Sequence, residues 1–223
     1  MTWVWRESRG PVRVLFTGRG PGGSREEILR RVEPVAPGVA WARQVHSARV
    51  LRAEGPGEQG EGDALVTDRA GLALSAVTAD CVPVLLAGPG GLAAVHAGWR
   101  GIAGGVVPAA LAAVAGPLDP LRDWTAWIGP AIGPCCYEVG PEVAEQVAAA
   151  SDPAAVISGI EGGKPHLDLH AAVRHQLESA GVGEVIALPL CTRCEAEKLW
   201  SYRREGKGAG RNLAVIWREW REA

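Results

Sequence analysis

The sequence predicts an α+β fold, a single domain over residues 1–223 with mixed, largely antiparallel sheets flanked by helices. Three observations predict it. Short apolar segments are joined in pairs by tight glycine- and proline-rich turns, the signature of antiparallel hairpins. Helical patterns fall between these pairs without the regular strand–helix alternation of a parallel sheet. No low-complexity linker or internal repeat divides the 223 residues, a length with ample interior for one core.

In chain order, Val12 to Thr17 reads as a strand, followed by the glycine-rich loop Gly18 to Gly23. Ser24 with Glu27 makes a capping box and opens a helix with Ile28, Leu29 and Val32 on one face. A second strand covers Val39 to Val45 and ends at His46, and a polar, glycine-rich stretch runs from Glu54 to Gly62. Strands resume at Ala64 to Val66 and Ala73 to Val77. They lead into a hairpin of Val82 to Ala87 and Leu92 to Val95, folded about Gly88, Pro89, Gly90 and Gly91. A helix follows from Ile102 to Ala115, with Pro108 expected to kink or split it. Trp124 to Ile128 is the next strand. Pro141, at a first helical position, begins a helix to Ala150; Asp168 caps another that reaches Ala180 and stops at Gly181. Val185 to Leu188 and Leu213 to Trp217 are short apolar strands.

Composition bounds the function. A formal net charge of -2 and a pI near 6.2 argue against a polyanion-binding protein, so nucleic acid is not an expected partner. The opening MTWVWRESRGPVRV has no long apolar segment after a basic one, which predicts neither a signal peptide nor a membrane span and hence a cytoplasmic protein. Five cysteines in such a chain favour thiols over a disulfide framework. Cys191 and Cys194 form a single CxxC with no second pair at zinc-ribbon spacing, so a closed four-thiolate site would need the vicinal Cys135 and Cys136 as partners. The CxxC also lacks the strand-to-helix setting of a thioredoxin-like redox motif.

The hairpin carries the chemistry. It brings Cys81 opposite His96, or within a couple of positions of it, where Cβ atoms across a ladder lie roughly 4.5 to 8 Å apart. A lone Cys or His is more often a packing residue. These two, however, stand where apolar strands give way to loops, the position at which a rigid scaffold presents reactive groups. His46 lies at a third strand end. His46, Cys81 and His96 make a three-ligand set that leaves one zinc position open, the catalytic pattern; thiolate plus two imidazoles also suits copper. His166, His170 and His175 do not share a helical face and are read as structural or surface residues. The loop at Gly18 to Gly23 satisfies GxGxxG, but the next strand ends in Arg43, Gln44 and His46 where a dinucleotide site wants an acid. Its plainer use is phosphate binding at a helix start, with Arg19 and Arg25 nearby.

The motifs RQVHSARV, GDALVTDRAGLALSAVTADCVPVLL, AAVHAGWRG, IGPAIGPCCYEVG, LDLHAAV and CTRC followed by SYRREG occur in this order. In them the chain resembles the laccase-domain or YfiH-like family, also called multicopper polyphenol oxidase-like or peptidoglycan editing factor proteins. The FTGRGPGG segment is similar to the family's FTTRxGG, and Arg25 aligns with its helix arginine. The family's SLNLG stretch is missing, and GKGAGR is longer than the usual GKTGR.

The resemblance implies zinc on His46, Cys81 and His96, and purine nucleoside phosphorylase activity accompanied by adenosine deaminase and methylthioadenosine phosphorylase activities. Purine nucleosides and inorganic phosphate are then the expected partners of a monomer or homodimer, with Gln44, Asp63, Asp80, Arg19, Arg25 and Arg100 orienting substrate. Three other readings remain beside it: a copper-dependent polyphenol oxidase, a metal-free Cys/His hydrolase like the related toxin deamidases, and a zinc-stabilised binding or peptidoglycan-precursor editing protein.

Overall fold

The computed structural model describes residues 3–20, 27, 38–116, 119–159 and 163–220. Two six-stranded mixed sheets dominate it. The first runs in the order β1 (Trp3–Arg9), β2 (Val12–Thr17), β14 (Asn212–Arg218), β7 (Ala73–Thr78), β3 (Val39–Arg43), β5 (Gly57–Glu61). The second runs β13 (Glu184–Ala187), β10 (Thr125–Ile128), β8 (Val82–Gly88), β9 (Gly91–Ala97), β6 (Ala64–Thr67), β4 (Val50–Arg52). Central pairs are antiparallel, whereas β3 with β5 and β7, β4 with β6, and β10 with β13 are parallel. A two-residue pair, β11 (Val156–Ile157) with β12 (His166–Leu167), stands apart.

Period-two alternation sorts side chains between layers. Leu85 and Ala87 of β8, Leu92 and Ala94 of β9 and Trp127 of β10 meet Val14 and Phe16 of β2, Leu74 of β7 and Ile216 of β14 in one buried cluster between the sheets. The intervening residues Val82, Val84, Leu86, Ala93 and Val95 face the other way, onto the helices. Those helices are α1 (Trp99–Ala103), α2 (Val106–Val114), α3 (Pro141–Ala150) and α4 (Leu169–Ser179); α5 (Tyr202–Glu205) is a single turn. In α2, Val106, Val107, Ala110, Leu111 and Val114 are buried, the stripe a 3.6-residue period produces.

The capping box at Ser24 and Glu27, with the helix it opens at Ile28, Leu29 and Val32, lies outside the described residues apart from Glu27. The helix expected from Ile102 to Ala115 is two helices, and the break falls at Gly104–Gly105, where Gly105 at φ 75° caps α2 in the left-handed region glycine favours. Pro108 sits in the first turn of α2, where its missing N–H is harmless. The polar stretch from Glu54 to Gly62 contains an edge strand, β5, parallel to β3. Glycine and glutamate give β5 no apolar periodicity to read. Among the described residues no helix is long and apolar enough to cross a membrane.

Candidate active site

The β8–β9 register pairs Val82 with Ala97 and Pro83 with His96, which sets Cys81, the residue before β8, diagonally across from His96. Gly98 then lets the chain turn into α1 against both partners: a Cβ there would lie 3.0 Å from Cys81 Sγ and 3.2 Å from His46 Cδ2. His46 arrives from the loop after β3, in the left-handed region at φ 61°.

That strained turn is held by Asp63, which immediately precedes β6. Its carboxylate accepts hydrogen bonds from the backbone N–H groups of Val45 (3.3 Å), His46 (2.9 Å) and Ser47 (2.6 Å) and from Ser47 Oγ (2.8 Å). Successive N–H groups converging on an anion form a nest, here filled by a side chain of the protein itself. The same carboxylate lies 2.8 Å from His96 Nδ1. Nδ1–H is therefore the tautomer the site selects, leaving Nε2 with its lone pair. One buried acid thus orients both histidines.

The donor atoms of His46, Cys81 and His96 all lie within 4.8 Å of one another, and the two rings meet edge to face with centroids 4.8 Å apart. Tetrahedral zinc with one sulfur and two nitrogens places donors roughly 3.3–3.6 Å apart, so the cluster needs only a small closure to hold an ion. Donor chemistry, tautomer and backing carboxylate all fit. The electrostatics are concerted. Burial alone would raise the Cys81 thiol, but the charge of His96 and the hydrogen bond from His46 bring it down to about 6. Burial alone would lower His96, yet Cys81 and Asp63 raise it to about 9. Burial opposes the ionised Asp63 as well, and its bonds to His96 and Ser47 still hold it far below the ordinary carboxylate range.

The other residues singled out in the sequence divide differently. Gln44 donates from Nε2 to Val77 O (2.7 Å) and accepts from Val77 N–H (2.9 Å), extending the β3–β7 pairing with a side chain. Asp80, at φ 99°, accepts from Thr192 Oγ1 (2.5 Å) and Arg203 N–H (2.6 Å). Arg19 lies over the Trp200 ring at 3.9 Å, donates to Leu199 O and pairs with Glu205. Gln44, Asp63, Asp80 and Arg19, expected to orient substrate, thus each have partners within the protein. Arg100 is exposed, stacked on Trp99 at 4.4 Å. Arg25 lies outside the described residues.

Tyr137 and Arg203 were not foreseen. They line a cleft of about 370 Å3 with Trp99, Gly140, Val143 and Lys164, and Arg203 lies 5.1 Å over the Tyr137 ring. Trp99 follows Gly98, so the cleft opens beside the His46–Cys81–His96 cluster. Burial, with the charge of Cys81, pushes the Tyr137 phenol up to about 12 and keeps it a donor. Both residues sit in motifs visible in the sequence, CCYEVG and SYRREG, but no spacing rule connects them to Cys81. A larger cleft of about 600 Å3, lined by Arg9, Thr125, Trp127 and Arg218, lies at the hairpin end of β8, ~20 Å along the strand from Cys81.

Two mixed sheets presenting a carboxylate-backed Cys/two-His cluster at the end of a central hairpin define a class of proteins with a candidate metal centre on a strand-end scaffold. Residues 23–219 match the family described as multi-copper polyphenol oxidoreductase laccase, and the chain belongs to that family. It is 43% identical over 209 residues to a purine nucleoside phosphorylase of Streptomyces coelicolor, covering 90% of this chain and 84% of that protein. It is 37% identical over 180 residues to the purine nucleoside phosphorylase YfiH of Escherichia coli, covering 79% and 72%. Among solved structures, a Neisseria meningitidis protein of the DUF152 family superposes with a TM-score of 0.86 at 32% identity, over 99% of this chain and 100% of that one.

Proposed function

We propose that this chain is a zinc-dependent purine nucleoside phosphorylase, one domain over residues 1–223 acting on adenosine, inosine and guanosine, with adenosine deaminase and methylthioadenosine phosphorylase activities. The observation that carries it is the convergence of His46, Cys81 and His96 on one point, backed by Asp63 and flanked by a cleft lined by Trp99, Tyr137, Arg203 and Lys164, the last paired with Glu138 at 3.9 Å. The relatives named purine nucleoside phosphorylase supply the substrate class.

Phosphorolysis joins a phosphate oxygen to C1′ of the ribose while the C1′–N9 bond breaks and the purine leaves with a proton. A zinc ion held by His46, Cys81 and His96 would supply Lewis-acid polarisation there. The remaining work belongs to side chains. Arg203 and Lys164 draw phosphate into the cleft, Trp99 gives the base an apolar wall, and the Tyr137 hydroxyl donates to a purine acceptor. Asp63 keeps both imidazoles in place through the reaction. Arg25, by its match to the family's helix arginine, is proposed as a further phosphate ligand.

The decisive experiment incubates metal-analysed protein with inosine or adenosine, with and without phosphate, and identifies products by mass. Hypoxanthine and ribose 1-phosphate should form from inosine only with phosphate, while adenosine yields inosine without it. Intact nucleosides in the presence of zinc-loaded protein, with phenol oxidation by copper-loaded protein, would establish the oxidase instead. Cys81, His96 and Asp63 also stand in the order of nucleophile, base and orienting acid, which favours a metal-free hydrolase as the second reading. That reading requires activity that survives complete chelation.

A further inference from the structure

The four cysteines other than Cys81 come together at a second place. A turn at 133–136 carries Cys135 and Cys136, and the segment after β13 carries Cys191 and Cys194. Backbone pairing pins the two: Ala131 bridges Cys191 in parallel, and Thr192 N–H donates to Ala131 O at 2.9 Å. All four sulfurs lie within 4.8 Å of one another, with Cys194 Sγ 3.7 Å from Cys135 Sγ and 3.5 Å from Cys136 Sγ.

These separations discriminate. A disulfide needs about 2.05 Å between sulfurs, and all four cysteines are free. Tetrahedral zinc at about 2.3 Å from each sulfur sets edges of roughly 3.8 Å. The separations of Cys194 Sγ from Cys135 Sγ and Cys136 Sγ have the second spacing. Gly133 N–H also points at Cys191 Sγ from 3.2 Å, a donor suited to a sulfur that carries charge. Gly133 permits this approach, because a Cβ there would meet Cys191 Cβ at 3.2 Å and Cys135 Sγ at 3.4 Å.

We propose that Cys135, Cys136, Cys191 and Cys194 form a closed structural centre for one zinc ion, separate from the candidate active site. Each thiol gives its proton to solvent as the ion binds. The centre clamps two loops that build the cleft wall. Cys136 adjoins Tyr137, and Cys191 adjoins Thr192, whose hydroxyl donates to Asp80 beside Cys81. The inference does not depend on the reaction catalysed or on an ion at His46, Cys81 and His96.

Native mass spectrometry of the full chain, purified without chelator or oxidant, tests it. Cys191→Ser with Cys194→Ser should lower the zinc count by one per chain, and Cys194→His, which keeps a three-sulfur, one-nitrogen set, should retain it. The His46→Ala, Cys81→Ala, His96→Ala variant reports the other centre separately. Thiol trapping on the unaltered protein needs no variant: the exposed Cys135 and Cys194 should resist iodoacetamide until a chelator is added. An unchanged zinc count in the double serine variant, alkylation indifferent to chelation, or a mass two hydrogens lighter for a disulfide among these cysteines would each overturn the proposal.

Discussion

Asp63 decides where two of the three candidate ligands point. Its backbone nest fixes the left-handed turn at His46, and its bond to Nδ1 fixes the His96 ring. Asp63→Asn keeps the shape but cannot accept through both side-chain atoms, so one nest N–H or His96 loses its partner. Backing carboxylates of this kind are worth about 10–100-fold in metal affinity. Competition with a chromogenic chelator should show that loss at the His46 centre, with the four-cysteine centre unaffected; equal affinity would mean that Asp63 serves only the fold. The three candidate ligands were legible in the sequence because each stands next to the end of an apolar strand segment. The role of Asp63 was not, since contact with three successive N–H groups 16 to 18 residues away depends on the course of a loop. The internal partners of Gln44 and Asp80 were hidden for the same reason: polarity beside a candidate ligand looks the same in sequence whatever the side chain meets.

At the scale of elements, the β8–β9 hairpin brings Cys81 and His96 together and Gly98 lets His46 approach. Gly98 has φ −77°, so alanine fits its backbone there and the cost is purely one of space. Gly98→Ala should displace Cys81 and His46 by a few tenths of an ångström and lower kcat/KM about tenfold, since a 1 Å misplacement costs about a hundredfold. The thermal midpoint should stay near that of the unaltered chain. A large fall in stability with normal activity in the surviving folded fraction would contradict this.

Helix α4 yields a second test, in pH. His170 docks that helix on the second sheet, 2.9 Å from Gly129 O through Nε2, and burial lowers its pKa below the ordinary 6.5. The unfolded chain therefore takes up a proton near pH 6.5 that the folded chain refuses. His170 should add no pH dependence well above 6.5, and stability should fall as pH drops through that value. His170→Gln, neutral throughout, should flatten this part of the profile in urea midpoints between pH 7.5 and 5.5; an unchanged slope would place the titration elsewhere. The N-terminal cap of this helix was readable because Asp168 accepts locally from Ala171 N–H. The split between α1 and α2 was misplaced because proline is disruptive only beyond the first turn, whereas Gly105 carries the left-handed cap.

Over the whole molecule, period-two patterning revealed the class but not the order of strands. β14, the last strand, lies between β2 and β7, pairings that span most of the chain and leave no local trace. What such pairing creates is the apolar layer between the sheets, and Leu85 lies fully buried in it, on the strand that follows Cys81. Leu85→Ala removes side-chain contacts in the layer between the sheets and leaves a cavity there, a loss of about 2–5 kcal/mol. For a chain of this size that lowers the thermal midpoint by roughly 4–20 °C. Leu85 touches none of the proposed ligands, and an ion that binds only the folded chain adds stability set by its affinity and concentration. Saturating zinc should therefore stabilise the Leu85→Ala and unaltered proteins by equal free energies, read as parallel gains in urea unfolding. A gain abolished in the variant would show that the intersheet layer and the His46–Cys81–His96 centre form one energetic unit, with the hairpin transmitting strain from core to site.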